Sequence, residues 1–231
     1  MSRTVIRFTP SERWFHNSVM FTFVLLLVTG LAMAYFNLKG GDREAHNFLT
    51  DIHEIAGVLF IAVPLILFLT ARKGVWGENW SVIRHFNRTD IKWLVKKPIS
   101  SFKRGIDLPE EDKFNPGQKV WIYVALGGSF VLASTGVYIW INHSAILALF
   151  MHTATALFMT PALLGHMFMA LVNPETRAGV TAIIDGEVDA EWAMEHHPLW
   201  MERHARERVA TLARQNRALG DEDDPPTQRD L

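Results

Sequence analysis

Residues Leu149 to Val172 read LFMHTATALFMTPALLGHMFMALV. No formal charge interrupts this stretch, yet it holds two imidazoles, His152 and His166. It closes a longer run, Val120 to Pro174, of 55 residues without a single Asp, Glu, Lys or Arg. A helix needs ~20 apolar residues to cross ~30 Å of hydrocarbon. The run is therefore too long for one span, and Ile141-Asn142-His143-Ser144 is where the chain turns between two. Two further uncharged runs, Phe15 to Leu38 and Ile55 to Ala71, lie upstream. Backbone polar groups in lipid must be satisfied within the segment, which selects helices. The expected fold is an all-α membrane protein, a bundle of four transmembrane helices near residues 15–37, 52–71, 118–141 and 145–172.

Charge orients the bundle. Of the 23 Lys and Arg residues, three precede the first helix and eleven lie between the second and third; seven follow the fourth. Two fall between the first and second helices and none between the third and fourth, so 21 share one side. The positive-inside rule places that side in the cytoplasm, with both termini. A transmembrane domain over 1–173, with a cytoplasmic loop at 72–117, then gives way to a cytoplasmic tail at 174–231. The tail is expected to be partly helical and then, through the acidic GDEDDPPTQRDL at its end, disordered. Arg3, Arg7 and Arg13 before an apolar run, with Ala32-Met33-Ala34 after it, imitate a cleavable signal peptide. The segment is read instead as a retained first helix.

The net charge of −1 offers no bulk signal for nucleic acid, and the absence of cysteine narrows the redox chemistry. No disulfide, no iron–sulfur cluster ligated by this chain and no thioether-linked c-type haem can form. No internal repeat stands out.

Four of the ten histidines fall on the expected spans: His16, His53, His152 and His166. Ionisable groups inside a bilayer are expensive and mark function by default. At about 100° and 1.5 Å per residue, the fourteen steps from His152 to His166 keep one helix face and move roughly 21 Å along the axis. Helix one enters from the cytoplasm, so His16 lies low, level with His166. Helix two enters from outside, so His53 lies high, level with His152. Two pairs at two depths suit two haems stacked across a membrane, each iron held by two imidazoles; without cysteine these are b-type. Gly30, fourteen residues after His16, lies on the same helix face at the upper level, where it would let the upper porphyrin approach the backbone, with Thr29 near enough to hydrogen-bond. His46, His85, His143, His196, His197 and His204 are read as solvent or interface groups, and the Met-rich MFMALV as ordinary packing.

Several text segments carry a resemblance to a known family. They are RWFHNSV around His16, DIHEIAGVLF around His53, FNPGQKV at 114–120, TGVYIW at 135–140, MHTATALF, GHMFMA, and the tail text DGEVDAEWAMEHHPLW. The chain resembles the cytochrome b (gamma) subunit of respiratory membrane-bound formate dehydrogenases over nearly its whole length. The resemblance implies that His53 and His152 hold the outer haem b and that His16 and His166 hold the inner one. It implies that Asn115, Gly117 and Gln118 line a site for menaquinone or ubiquinone beside His166. Amide side chains and a glycine N–H are suitable donors to a quinone carbonyl. Taken alone, Asn115-Pro116-Gly117 is simply a turn and a helix start. The implied partners are an iron–sulfur (beta) subunit on the outer face and a molybdenum- or tungsten-containing catalytic (alpha) subunit that oxidises formate, in a bacterial inner membrane. Formate oxidation itself is not on this chain, and further oligomerisation of the heterotrimer stays open.

The connection from Asn142 to Ala145 is shorter than the family's. An equivalent subunit of a nickel–iron hydrogenase or a sulfur-compound reductase is the alternative on the same fold. From other classes come a histidine-lined proton or metal transporter and a passive anchor without cofactor. Against the transporter, no carboxylate lies in the core of any span, whereas proton relays commonly include one.

Overall fold

Residues 3–71 and 74–222 are described by a computed structural model, with side chains to residue 216. The chain opens with a three-residue strand, β1 (Thr4–Ile6), and continues into α1 (Pro10–Lys39) and α2 (Arg43–Thr70). Then come α3 (Val75–Arg84), α4 (Arg88–Ser100), α5 (Pro116–Ile141) and α6 (Ile146–Leu171). The tail adds α7 (Pro174–Arg177), α8 (Gly179–Ile184), β2 (Glu187–Asp189), α9 (Ala190–His196) and α10 (Pro198–Glu222).

Among the described residues four helices, α1, α2, α5 and α6, are long and apolar enough to cross a membrane. They pair as two antiparallel hairpins, α1 against α2 and α5 against α6. α1, α2 and α5 start earlier than the expected spans because caps extend them, whereas α6 falls within its expected span. Thr9 and Glu12 form a reciprocal capping box with Pro10 at the first turn of α1. Asp42 caps α2 through its side chain, and Gly40, at φ 66°, closes α1 in the left-handed conformation that a side chain disfavours. Two of the spans carry internal prolines, Pro64 in α2 and Pro161 in α6. Each removes one intrahelical N–H donor, which membrane helices tolerate where neighbours or side chains compensate.

The segment at 72–117, expected as a loop, holds two of its own helices, α3 and α4. Together with β1 and the tail elements α7 to α10 they build a cap over one end of the bundle; among the described residues the other end carries only the two tight hairpin turns. The cap has a small core of Ala182, Val188, Ala193 and Trp200, flanked by Val5, Phe8, Trp192 and Met201. Strand β1 pairs antiparallel with β2, Val5 opposite Val188, and so fastens the start of the chain to the tail. Gly186, at φ 92°, makes the turn into β2, and its carbonyl accepts from the N–H groups of Arg7 and Phe8. The acidic end expected to be disordered begins at Gly220; its first three residues close α10, and residues 223–231 lie outside the described residues.

Candidate functional site

The structure brings the four intramembrane histidines together as two pairs. His53 on α2 faces His152 on α6 with ring centroids 6.3 Å apart and ring planes at 69°. His16 on α1 faces His166 on α6 at 6.5 Å and 56°. The first pair lies toward the hairpin end and the second toward the cap. Helix α6 thus contributes one member to each pair, as the fourteen-residue spacing requires. These separations fit a metal between the rings. Two metal–nitrogen bonds of about 2.0 Å each, added to the distance from each nitrogen to its ring centre, call for roughly 6 Å between centroids. Among the described residues no cluster of three or more His, Cys, Asp or Glu side chains forms, so the imidazoles stand as pairs.

The hairpin-end pair has a defined second layer. Thr29 Oγ1 lies 2.8 Å from His53 Nδ1, and Thr135 Oγ1 lies 3.0 Å from His152 Nδ1. A hydroxyl has one proton, and each threonine directs it back along its own helix, to Leu25 O at 2.8 Å and Val131 O at 2.6 Å. Each hydroxyl must then accept from Nδ1–H, which leaves Nε2 unprotonated and free to bind a metal. The glycine after each threonine clears room for the same ring. A Cβ on Gly30 would meet His53 Cε1 at 3.3 Å, and one on Gly136 would meet His152 Cε1 at 3.3 Å. Gly30 therefore abuts an imidazole, rather than serving only the approach of a porphyrin. In the sequence Thr135 and Gly136 stand out only within TGVYIW, with no role attached; their symmetry with Thr29-Gly30 emerges from the structure, although the repeated Thr-Gly dipeptide is a usable signal.

The cap-end pair is held differently. Trp121 stacks on His166, centroids 4.7 Å apart and planes within 12°. His16 Nδ1 has only a long contact, 3.4 Å, to Asn17 Oδ1.

Asn115, Gly117 and Gln118 lie at the start of α5, on the cap end with His166. Asn115 is the N-cap: its Oδ1 accepts from Gln118 N–H at 2.9 Å, and Gln118 Oε1 accepts from Asn115 N–H at 3.0 Å. The helix-start reading of this motif is thus satisfied outright. The box occupies only the side-chain oxygens and the two backbone N–H groups; both amide NH2 groups keep their donor capacity. Gly117 packs under Trp93 of α4, where a Cβ would come within 3.5 Å of the indole. Trp121 follows one turn later, so the motif reaches the His16–His166 pair through that ring.

Around this motif the cap is unusually polar inside. Trp93 Nε1–H donates to Glu111 at 2.9 Å, and burial pushes the Glu111 carboxyl up despite that bond and the charge of Lys97. Lys119, one residue past Gln118, forms a buried ion pair with Asp90 at 2.8 Å. Asp112 takes two hydrogen bonds from Arg203, both 2.7 Å. Burial opposes its ionisation, but the Arg203 bonds prevail and hold the carboxyl below its usual range. Of the histidines read as solvent or interface groups, His197 is buried inside the cap, 3 % exposed, and its Nδ1–H donates to the Asp112 carbonyl at 2.7 Å.

Four apolar helices with two facing imidazole pairs at two depths define a membrane cytochrome b. The chain belongs to the prokaryotic cytochrome b561 family, which matches residues 7–186. Its relatives include the formate dehydrogenase cytochrome b556(fdo) subunit of Escherichia coli K12, 28% identical over 207 residues, covering 85% of this chain and 92% of that protein. The nitrate-inducible formate dehydrogenase cytochrome b556(Fdn) subunit of the same organism is 27% identical over 217 residues, covering 86% and 91%. The formate dehydrogenase cytochrome b556 subunit of Haemophilus influenzae is 23% identical over 208 residues, covering 85% and 82%.

Proposed function

We propose that the chain is the di-haem cytochrome b subunit of a respiratory formate dehydrogenase, carrying electrons across a bacterial inner membrane to quinone. The observation that carries this reading is the pair of imidazole separations, 6.3 and 6.5 Å, at two levels of one bundle. His53 and His152 hold the outer haem b, and His16 and His166 the inner one. So ligated on both sides, such groups supply one-electron transfer rather than oxygen binding. The rest falls to the protein. Thr29 and Thr135 keep the outer imidazoles in the tautomer that presents Nε2, and the surrounding apolar spans exclude water.

Quinone binds near the cap end, where the amides of Asn115 and Gln118 and the backbone at Gly117 offer donors to its carbonyl oxygens. The cap lies in the cytoplasm with both termini, since it collects nearly all of the Lys and Arg residues. The short hairpin end faces an iron–sulfur (beta) subunit outside, itself supplied by a molybdenum- or tungsten-containing (alpha) subunit that oxidises formate. The relatives' names support formate as the upstream substrate over hydrogen or a sulfur compound. A metal-transport reading is disfavoured because the histidines form isolated pairs, not a chain of ligands.

A reduced-minus-oxidised spectrum of the purified protein, with haem iron quantified per chain, tests the proposal. Two b-type haems per chain are expected; a colourless, fully folded protein overturns it.

A further inference from the structure

Each hairpin of the bundle contains the same three-part contact. A Thr-Gly dipeptide on its first helix, Thr29-Gly30 on α1 or Thr135-Gly136 on α5, meets a histidine of its second helix, His53 or His152. The hydroxyl takes the Nδ1 hydrogen bond, at 2.8 and 3.0 Å, and the glycine leaves the ring edge its space, with a would-be Cβ 3.3 Å from Cε1 in both cases. Among the described residues the cap-end pair has no counterpart: His166 is held by stacking on Trp121, and His16 by a 3.4 Å contact to its neighbour Asn17.

We propose that Thr29 and Thr135 are matched positioning residues that set the ring orientation and ligand strength of the outer imidazole pair, and of that pair alone. An imidazole whose Nδ1–H is engaged by an acceptor is a better donor through Nε2, and its ring cannot swivel freely. Stronger donation favours the oxidised metal, so the two hydroxyls hold the outer centre at a lower potential than unengaged histidines would. Fixed rings also fix the 69° between the two planes, on which the magnetic anisotropy of a low-spin ferric centre depends. The sequence puts the same device on two helices, α1 and α5, and it closes around one site from both sides.

This proposal rests on the di-haem reading, and the test separates the two. Thr29→Val and Thr135→Val keep shape and remove the acceptor; Thr29→Ser and Thr135→Ser restore it. Thr160→Val is the control, because Thr160 bonds back to Ala156 O at 2.8 Å in the same fashion but touches no histidine. Each variant is made in the intact membrane complex and read by optical redox titration and by EPR of the oxidised state. Both valine variants are expected to move the outer midpoint to more positive values and to alter the outer low-spin signal. The inner centre, the serine variants and Thr160→Val should match the unmodified protein. Loss of the outer haem alone in a valine variant, restored by serine, supports the same role. An unchanged outer midpoint and signal with haem retained overturns it, as does equal disturbance of both centres or failure of serine to rescue. Absence of any b-type spectrum in the unmodified protein would instead defeat the di-haem reading itself.

Discussion

An imidazole in hydrocarbon is tolerated only when something claims its nitrogens, and the two levels of this bundle answer that demand differently. At the hairpin end, hydroxyls of α1 and α5 take Nδ1 of His53 and His152; at the cap end, Trp121 covers the face of His166. Removing one ligand therefore has a local consequence. His152→Ala is expected to lose the outer haem, about half of the b-type absorbance, while the inner haem stays spectroscopically intact; His166→Ala should show the reverse loss. Difference spectra of the purified variants check this, and two low-spin haems surviving in both variants would sink the ligand assignment. The four histidines were legible because spacing and topology alone fix their depth and pairing. Trp121 was not, since an indole in an apolar helix looks like any other packing residue. Thr135 was hidden for a related reason: hydroxyls in membrane helices commonly bond their own backbone, as Thr22, Thr70 and Thr160 do here.

At the scale of the elements, the long spans were readable from charge-free length, whereas the cap depended on contacts that no local pattern announces. Helix α4 shows what was missed. Asn87 and Asp90 form a reciprocal capping box, a start signal visible in the sequence, yet the helix it starts is short and contains Pro98. Its inner face is set by Trp93 and Asp90, which pack against the start of α5. There Asp90 meets Lys119 at 2.8 Å, both side chains nearly inaccessible to water, and the ammonium also donates to the His85 carbonyl at 2.9 Å. Breaking a buried pair from one side leaves a bare charge, at a cost of about 3–5 kcal/mol. Asp90→Ala is accordingly expected to loosen α4 from α5 and to expose the 103–113 segment to protease. Asp90→Ala combined with Lys119→Met should recover most of that loss. Limited proteolysis across a temperature series measures both; a double variant no better than the single would mean that the capping box, not the ion pair, carries the junction. The same junction holds Gly117 under Trp93, so the amide motif at 115–118 inherits its position from a helix within a segment whose sequence reads as a loop.

For the molecule as a whole, the spans display a girdle of bare apolar side chains, among them Phe21, Phe130 and Leu147 at 69%, 73% and 73% exposure, where a water-soluble monomer would not tolerate such a surface. Charge collects at the capped end, and the complete lack of cysteine makes the orientation simple to test. Single cysteines introduced at Ser101 and Asn142 should react with a membrane-impermeant maleimide from opposite sides, Ser101 from the cytoplasm; labelling of both from one side would refute the topology. The cap also ties β1 and the tail to the bundle, and His197 makes that tie sensitive to acid. Burial, reinforced by the nearby Arg7 guanidinium, pushes its imidazole down to about 3, against hydrogen bonding to Asp112. Arg7 is itself pressed down to about 10 by burial, among the rings of Phe8, Trp192 and Trp200. Above the ordinary histidine pKa of 6.5 neither folded nor unfolded chain protonates this residue, and its neutral form costs nothing. As pH falls below that value the unfolded chain takes up the proton and the folded one refuses it, so the cap loses stability down to the folded value. From this one group the loss is about 1.4 kcal/mol per pH unit, or about 2 kcal/mol between roughly pH 6.5 and pH 5. Asp112, held low by Arg203, adds a loss only at more acid pH, as protons compete through its depressed folded pKa. Amide exchange of α9 and α10 should therefore speed up between pH 6.5 and 5, beyond the intrinsic chemistry, while the membrane spans stay protected. His197→Asn, which keeps a donor for the Asp112 carbonyl without a titrating ring, should flatten that slope; an unchanged slope in the variant would place the acid sensitivity elsewhere in the cap.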